Sequence, residues 1–295
     1  MRSAVSREWA TLHDTVPKCK NAETVMVRTP AKLSIDDRLA RAKARTDRLV
    51  GHTASLFLMQ AANATVIYSP ALAEQIPTSF AAHAFNQFQR SMHLFELVRL
   101  TALWDRYGDD RESIPTIVDL IDHKVILAKV VDAERSHYLN HPEPRDLTPS
   151  EDPAYVAMKA AWWEEYQIKW AEEAGNRAQD RLKFAIERTR EIAASDRLKA
   201  LIEVRNQIAH NLDFQPGTNT PTEPGRTLKY GDEKSLLEDT VLIADALHLA
   251  LNGTSFMWDD SREQAQRWAD ELWKNCKFEI PKSGRRGSSP PAGQR

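Results

Sequence analysis

Residues 198–214 read LKALIEVRNQIAHNLDF and combine a helical apolar pattern with side chains able to bind anions and transfer protons. Ser195 and Asp196 precede this stretch, and both residue types are favoured at the N-cap of a helix. Apolar residues then recur every three or four positions, which predicts an amphipathic helix. They are Leu198, Leu201, Ile202, Ile208 and Leu212.

Arg205 lies in the middle of this apolar stripe. A buried guanidinium without a partner is very costly, so the sequence predicts that Arg205 meets a carboxylate, carbonyl oxygens or a phosphate from outside. His210 follows five positions later, with Asn206 between them and Asp213 just beyond. The helix thus carries an arginine, a histidine and polar groups that can orient them.

Helical geometry limits how Arg205 and His210 can act together. Five residues rotate the helix so that His210 lies about 140° round from Arg205 and about 7.5 Å along the axis. One ligand can meet both only in a groove at the helix edge, for example between two copies of the helix. Histidine transfers protons near neutral pH, and arginine binds phosphate through its planar donors. With Asn206 orienting either group, these side chains suit metal-free attack of an RNA 2′-hydroxyl on its neighbouring phosphate.

The spacing by itself is a weak signal, because an arginine followed after four to six residues by a histidine occurs four times. The alternative is an exposed histidine beside an arginine that extends along the surface and pairs with a nearby carboxylate. The four pairs are Arg7/His13, Arg45/His52, Arg135/His141 and Arg205/His210.

The sequence RNQIAH, residues 205–210, resembles the signature of the HEPN superfamily, in which an arginine and a polar residue precede a histidine on a late helix. Residues 93–106, HLFELVRLTALWDR, resemble the second helix of the abortive-infection (AbiU-like) branch of that superfamily. Residues 113–121, SIPTIVDLI, fit the same branch. The resemblance covers about residues 35–276, and its specific chemical motif is the Arg205–His210 pair.

The resemblance implies an all-α, HEPN-like bundle of long antiparallel helices. It also implies a metal-independent RNA endonuclease that acts as a homodimer in antiphage defence by abortive infection, or as the toxin of a toxin–antitoxin pair. Arg205 would then hold the phosphate, His210 would support proton transfer, and Asn206 would position them. No cofactor or metal is expected; RNA, a second copy and an antitoxin or regulatory protein are the expected partners. The alternative is a non-catalytic helical protein that binds other proteins or nucleotides.

Composition narrows the class of protein. The 295 residues carry 40 Lys and Arg against 42 Asp and Glu, a balance that excludes a strongly basic nucleic-acid coat protein. The two cysteines, Cys19 and Cys276, predict neither a disulfide framework nor a cysteine metal site. The sequence lacks a long apolar run and the core of a signal peptide, so we expect a cytoplasmic protein without membrane contact.

The chain divides into a poorly ordered extension (1–33), a helical domain (34–276) and a disordered tail (277–295). Ser34 with Asp37 resembles a capping box at the start of the first helix. Segment 215–232 is rich in proline and glycine, which predicts a long loop after His210. Long loops beside candidate sites often cover or gate them, so we expect that role here. The predicted helices are 34–68, 77–106, 114–131, 150–194 with a bend at Gly175, the helix of Arg205, 234–251 and 261–276.

Polar residues within the apolar helix 77–106 have two interpretations. Glu96, Arg99 and Asp105 form either an internal ion pair that fixes packing, which is favoured, or a supporting group for the site. In the second case Glu96 or Asp105 would lie beside Arg205 or His210 as an orienting carboxylate.

Two further clusters also leave alternatives open. The basic residues early in the first helix, among them Arg38 and Arg45, form either a solvated face or a surface that follows phosphates. Trp162, Trp163 and Trp170 crowd one stretch together with Tyr166. Their spacing favours packing in the core or in a dimer over stacking on bases.

Overall fold

The computed structural model describes residues 33–76, 78–142, 152–210 and 231–280, apart from the side chains of Ala209 and His210. Within these ranges the regular structure is entirely α-helical, which confirms the predicted all-α class. The helices are α1 Ile35–Tyr68, α2 Pro70–Gln75, α3 Phe80–Ala102, α4 Ile114–Ile121, α5 Lys124–Leu139, α6 Pro153–Ala194, α7 Asp196–His210, α8 Asp232–Asn252 and α9 Trp258–Asn275. The predicted extension 1–33 and the tail 277–295 lie almost wholly outside the described residues.

The two longest helices follow the predicted pattern closely. Ser34 Oγ accepts a hydrogen bond from the Asp37 amide at 3.1 Å, so the predicted N-cap of α1 is present. α6 continues through Gly175 as one helix up to Ala194. A Cβ at Gly175 would lie 2.5 Å from Nε of Arg135. The glycine therefore gives room for a side chain of α5 to cross the longer helix.

The helix predicted over 77–106 is shorter at both ends in the structure, and the short helix α2 before it was not predicted. Ser69 caps a short helix that begins at Pro70, and Ser79 caps α3 by accepting from the amide of Ala82. The Ser-Pro sequence favours starting a helix, because proline lacks the amide that the first turn leaves unbonded. At the other end the chain leaves α3 after Ala102 and turns around the buried side chain of Trp104.

The helix predicted over 114–131 is divided into α4 and α5. Ser113 caps α4 through the amide of Thr116, and α4 ends at Ile121. His123 has an extended backbone, and its Nδ1 accepts from the amide of Val125 to cap α5. A histidine N-cap is uncommon, so no ordinary start signal marks this position in the sequence.

The core lies where α1, α6 and α8 meet the shorter helices. α1 packs against α3, α4, α8 and α9, whereas α6 packs against α4, α5, α7 and α8. The apolar residues of α4 are fully or almost fully buried between α1 and α6. α8 packs mainly against α1 and α6, and it is buried there through residues such as Leu236, Ile243 and Leu247. The arrangement fixes α7 at the edge of the bundle, against α3, α6 and α8.

Part of the basic cluster in α1 was wrongly interpreted as a solvated or phosphate-binding surface. Arg38 and Arg45 are buried. Arg38 donates to the carbonyl oxygens of Asp119 and Leu120 at 2.8 and 2.9 Å, and Arg45 donates to the carbonyl oxygen of Asp109. Arg38 therefore meets carbonyl oxygens in the last turn of α4, where positive charge is favourable, whereas Arg45 meets a carbonyl oxygen in the loop before α4.

The aromatic cluster of α6 lies outside the core of the chain. Trp162 is 55% exposed, and its ring stacks on that of Tyr166 with 5.0 Å between centroids. α5 ends beside Trp170, whose ring meets Tyr138 edge-on, so the first turns of α6 extend beyond α5. We call the exposed side of these turns, which includes Tyr155, Met158 and Trp162, the aromatic arm. In the helices described here, no segment is long and apolar enough to cross a membrane.

Candidate functional site

The helix that carries Arg205 begins with a local capping signal and is held by apolar contacts. Ser195 Oγ accepts from the amide of Leu198 at 3.2 Å, which satisfies a free donor in the first turn of α7. Leu198 and Leu201 are buried in the core. These contacts leave the opposite side of α7, including Asn206, exposed.

A buried carboxylate joins α6, α7 and α8 at the start of this helix. Asp239 of α8 accepts hydrogen bonds from Arg188 of α6 at 2.7 Å and from Arg197 of α7. The bonds raise the pKa of the Arg188 guanidinium, because they favour its charged form. Two guanidinium groups on one buried carboxylate fix the direction in which α7 leaves α6. The sequence analysis missed this cluster, although Asp239 does stand out as a charge within the apolar pattern of α8.

Asp105 is held in place by its neighbour Trp104. The Trp104 ring is buried, and its Nε1 donates to Oγ1 of Thr240 at 2.9 Å. The amide of Ile114 donates to the carbonyl of Leu103 at 2.8 Å and closes the turn from the other side. The segment after α3 therefore has a fixed path, and it presents the Asp105 carboxylate towards α7.

Arg205 binds this carboxylate directly. Its Nη1 donates to Oδ1 of Asp105 at 2.6 Å, and Arg111 approaches the other oxygen at 4.0 Å. Nε and Nη2 of Arg205 both donate to Oδ1 of Asn206, at 3.3 and 3.2 Å. The carboxylate foreseen as one alternative beside Arg205 is thus Asp105, and Asn206 orients the guanidinium.

The Arg205 side chain remains 20% exposed despite these contacts. A guanidinium has five N–H donors, and the bonds to Asp105 and Asn206 use three of them. No acceptor among the described residues binds the other two donors, whose geometry suits a phosphate. Because Asp105 and Asn206 hold the group on two sides, a phosphate would meet an arginine whose orientation is already set.

Glu96 and Arg99, the other supporting candidates on α3, have different partners. Glu96 accepts from Nδ2 of Asn63, a residue of α1. Arg99 lies 3.4 Å from Nδ1 of His52. Burial and the nearby Arg99 charge lower the pKa of His52. No ion pair joins Glu96, Arg99 and Asp105 to one another in the described ranges, and Asp105 pairs with Arg205 instead.

The other arginine–histidine pairs that the structure describes have separate partners. Arg45 binds a backbone carbonyl in the core, whereas His52 contacts Arg99. Arg135 lies across Gly175 and approaches Asp132 at 3.6 Å, whereas His141 lies in the turn after α5. The pair Arg7/His13 lies outside the described residues. Arg205 differs from Arg45 and Arg135 in that its guanidinium is held between a carboxylate and an amide.

His210 is the last residue of α7, and its side chain lies outside the described part of the structure. Asp213 and residues 215–230 of the predicted covering segment lie outside it too. The roles of these residues therefore stay predictions. Over the described residues, no group of three or more His, Cys, Asp and Glu side chains is placed to hold a metal ion.

Comparison with known proteins identifies a family. The model of a HEPN family described as AbiU2 matches residues 40–272, which is most of the chain. The match includes α7 and the segments 93–106 and 113–121. No curated protein and no solved structure matches the chain.

Proposed function

Because the chain belongs to the AbiU2 family of HEPN proteins, we propose that it is an RNA endonuclease that works without a metal ion in abortive infection or as a toxin. The observation that carries the proposal is the state of Arg205. Asp105 and Asn206 fix its guanidinium, and donors remain at the exposed edge of α7. A preoriented cation with free donors suits a phosphate whose charge increases in the transition state.

The proposed reaction needs only groups of the chain and of the RNA. The 2′-hydroxyl oxygen attacks the adjacent phosphorus, the bond to the 5′-oxygen breaks, and a cyclic phosphate and a 5′-hydroxyl result. Arg205 binds the phosphate oxygens and stabilises their charge. His210 transfers a proton to or from the reacting oxygens, and Asn206 keeps the guanidinium in place. Asp105 supports Arg205 without touching the RNA.

We propose that the active form is a homodimer. Arg205 and His210 project about 140° apart on an ideal helix, so a groove between two copies would expose both groups to one RNA strand. The aromatic arm supplies apolar surface suited to such contacts, because aromatic side chains are enriched at protein interfaces. An antitoxin or regulatory protein would then act by blocking the groove or by separating the copies.

The test compares purified wild-type protein with Arg205→Ala and His210→Ala on total RNA and on defined oligonucleotides in EDTA. We expect cleavage by the wild type and a loss of at least about a hundredfold in each variant, as for removal of a proton-transfer group. His52→Ala is the matched control, because it removes a histidine from a similarly spaced pair whose arginine binds elsewhere. Equal cleavage by all four proteins would overturn the proposal.

One observation favours the non-catalytic alternative. The Asp105 carboxylate already neutralises Arg205, as in a structural ion pair that fixes α7 on α3. In that case the same edge of the bundle would bind another protein or a nucleotide. Induction in a bacterial host separates the alternatives: growth arrest with RNA cleavage in the wild type, absent in His210→Ala, fits the enzyme. Growth without RNA cleavage in both strains fits the binding protein.

A further inference from the structure

A cavity of about 700 Å³ lies beside α3. Its walls come from α1, α3, the start of α8 and α9. Apolar and aromatic side chains, among them Phe57, Ile67 and Tyr68, form much of its surface. The volume falls in the range of pockets that hold small organic molecules.

Two buried polar side chains, those of Glu96 and Asn63, line this cavity. The Glu96 residue is 5% exposed, and one of its carboxylate oxygens accepts from Nδ2 of Asn63. No second hydrogen bond reaches this carboxylate from the described residues. Asn63 is 4% exposed, and its Oδ1 has no partner there either. The amide cannot be turned over to relieve this, since its oxygen would then face the Glu96 carboxylate and the carbonyl of Met92.

The charges around the cavity leave Glu96 uncompensated. Glu238 forms an ion pair with Arg262 at 2.5 Å, and Arg262 also lies 4.5 Å above the ring of Phe57. The two terminal nitrogens of Arg262 are therefore occupied by Glu238, whereas its Nε has no partner among the described residues. Glu233 and Glu263 add negative charge, and Lys234 adds one positive charge at the start of α8. The lining carries four glutamates against one lysine and one arginine, so negative side chains outnumber positive ones around the cavity.

A buried carboxylate that has one amide hydrogen bond and no ion-pair partner among the described residues, beside an amide oxygen with no partner there, is unfavourable. Burial raises the pKa of the Glu96 carboxyl, and the nearby Glu233 acts in the same direction. The hydrogen bond from Asn63 and the charge of His93 oppose this rise. A ligand that supplies both N–H groups and positive charge would satisfy the two acceptors and keep the carboxylate ionised.

We propose that this cavity binds an organic cation of the alkylguanidinium or alkylammonium class, with Glu96 and Asn63 as adjacent acceptors for its N–H groups. The apolar walls would contact the alkyl chain, and the acidic rim would attract the charge. The same acidity disfavours a phosphate, so the cavity differs in chemistry from the surface at Arg205. The proposal does not depend on ribonuclease activity.

The cation has two sources with the same chemistry: a free small molecule, or an arginine side chain of a peptide. Butylguanidinium represents the first source and the peptide acetyl-Gly-Arg-Gly-amide the second. The uncharged controls of nearly equal shape are butylurea and the corresponding citrulline peptide. Binding of butylguanidinium but not of the arginine peptide would assign a free ligand, whereas binding of both would show that the cavity admits a protein side chain.

Isothermal titration calorimetry on the full chain tests the proposal. We expect butylguanidinium to bind at least about tenfold more tightly than butylurea, and Glu96→Gln to remove most of that difference. Glu271→Gln, an exposed carboxylate of α9 away from the cavity, is the matched control and should bind as the wild type does. Affinity should fall as the pH is lowered, since protonation of Glu96 removes the charge that the ligand needs.

A second variant keeps the test decisive if Glu96→Gln is poorly folded. Ala64→Trp places a large side chain at an exposed position of the cavity wall and should block the ligand. Circular dichroism and thermal unfolding check each variant first. Absence of butylguanidinium and peptide binding to the wild type, or undiminished binding in both Glu96→Gln and Ala64→Trp, would overturn the proposal.

Discussion

The Arg205 guanidinium and the Asp105 carboxylate lie 2.6 Å apart, although a hundred residues separate them in the sequence. The pair connects α7 to the turn that follows α3, and the buried ring of Trp104 fixes that turn. It therefore joins a helix whose exposed edge carries the candidate chemistry to a part of the bundle that cannot move independently.

Asp105→Asn should weaken both the fold and RNA cleavage. Arg205 would keep its charge in a partly buried position and lose its anionic partner. Since both side chains are partly exposed, we expect a stability loss of about 1 kcal/mol, below that for a fully buried pair. Cleavage should fall about tenfold or more as the guanidinium becomes less well oriented.

Urea unfolding and RNA cleavage rates measure the two effects. Glu173→Gln is the control, because it removes an exposed carboxylate that pairs with Arg177 within one helix at 3.6 Å. The control should change neither quantity appreciably. A cleavage rate in Asp105→Asn equal to that of the wild type would show that Asp105 does not position Arg205 for the reaction.

Asp239→Asn should destabilise the protein far more than Glu191→Gln, although both carboxylates bind Arg188. Asp239 is 9% exposed and also binds Arg197, whereas Glu191 is 68% exposed. Loss of the buried carboxylate removes the anion that Arg188 and Arg197 share, at a cost of about 3 kcal/mol. Loss of the exposed one should cost less than about 0.5 kcal/mol. Chemical denaturation of the two variants provides the comparison, and equal losses would contradict it.

Glu96→Gln should raise the melting temperature at pH 7 in the absence of ligand. Burial raises the pKa of the Glu96 carboxyl above its ordinary value of 4.5. A carboxyl with a raised pKa in the folded state stabilises the fold below the unfolded pKa, and this contribution is lost as the pH rises through the folded pKa. At neutral pH the ionised group therefore opposes folding, and glutamine removes that effect.

The difference in melting temperature should disappear as the pH falls below about 4.5, where Glu96 is protonated in both the folded and the unfolded states. Glu271→Gln, at an exposed site, should show no such pH-dependent gain. Thermal unfolding, followed by circular dichroism between pH 4 and pH 7, measures this difference in melting temperature. A lower melting temperature for Glu96→Gln at pH 7 would mean that the charged carboxylate is stabilised by groups other than those described.

Trp162→Gln should weaken the proposed homodimer without unfolding the chain. Its ring is mostly exposed on the aromatic arm, so a polar replacement removes little buried surface within one copy. Light scattering after size-exclusion chromatography should show a shift towards the monomer at equal protein concentration. Trp268→Gln on α9, at a similarly exposed tryptophan, is the control and should leave the distribution unchanged. An identical dimer fraction in both variants would place the interface elsewhere.

The sequence was sufficient wherever the deciding interactions lie within one or two helical turns. The caps at Ser34 and Ser195 were predicted from neighbouring residues, and the structure contains both. The apolar periodicity of α1, α6 and α8 predicted these helices to within a few residues. Where the cap was an unusual one, as at His123, the same reasoning missed a helix boundary.

By itself, the sequence determined the helical class, the main helices and the need for a partner of Arg205, because periodicity, capping and the cost of a buried charge are local properties. Only the tertiary structure decided that the partner is Asp105, that Arg38 and Arg45 are buried against carbonyl oxygens, and that Glu96 faces a cavity. For each charged side chain, the sequence contains several residues of opposite charge that could serve as its partner. Which of these partners a charge meets depends on how the helices pack, since an ion pair forms only between groups that packing brings within a few ångströms.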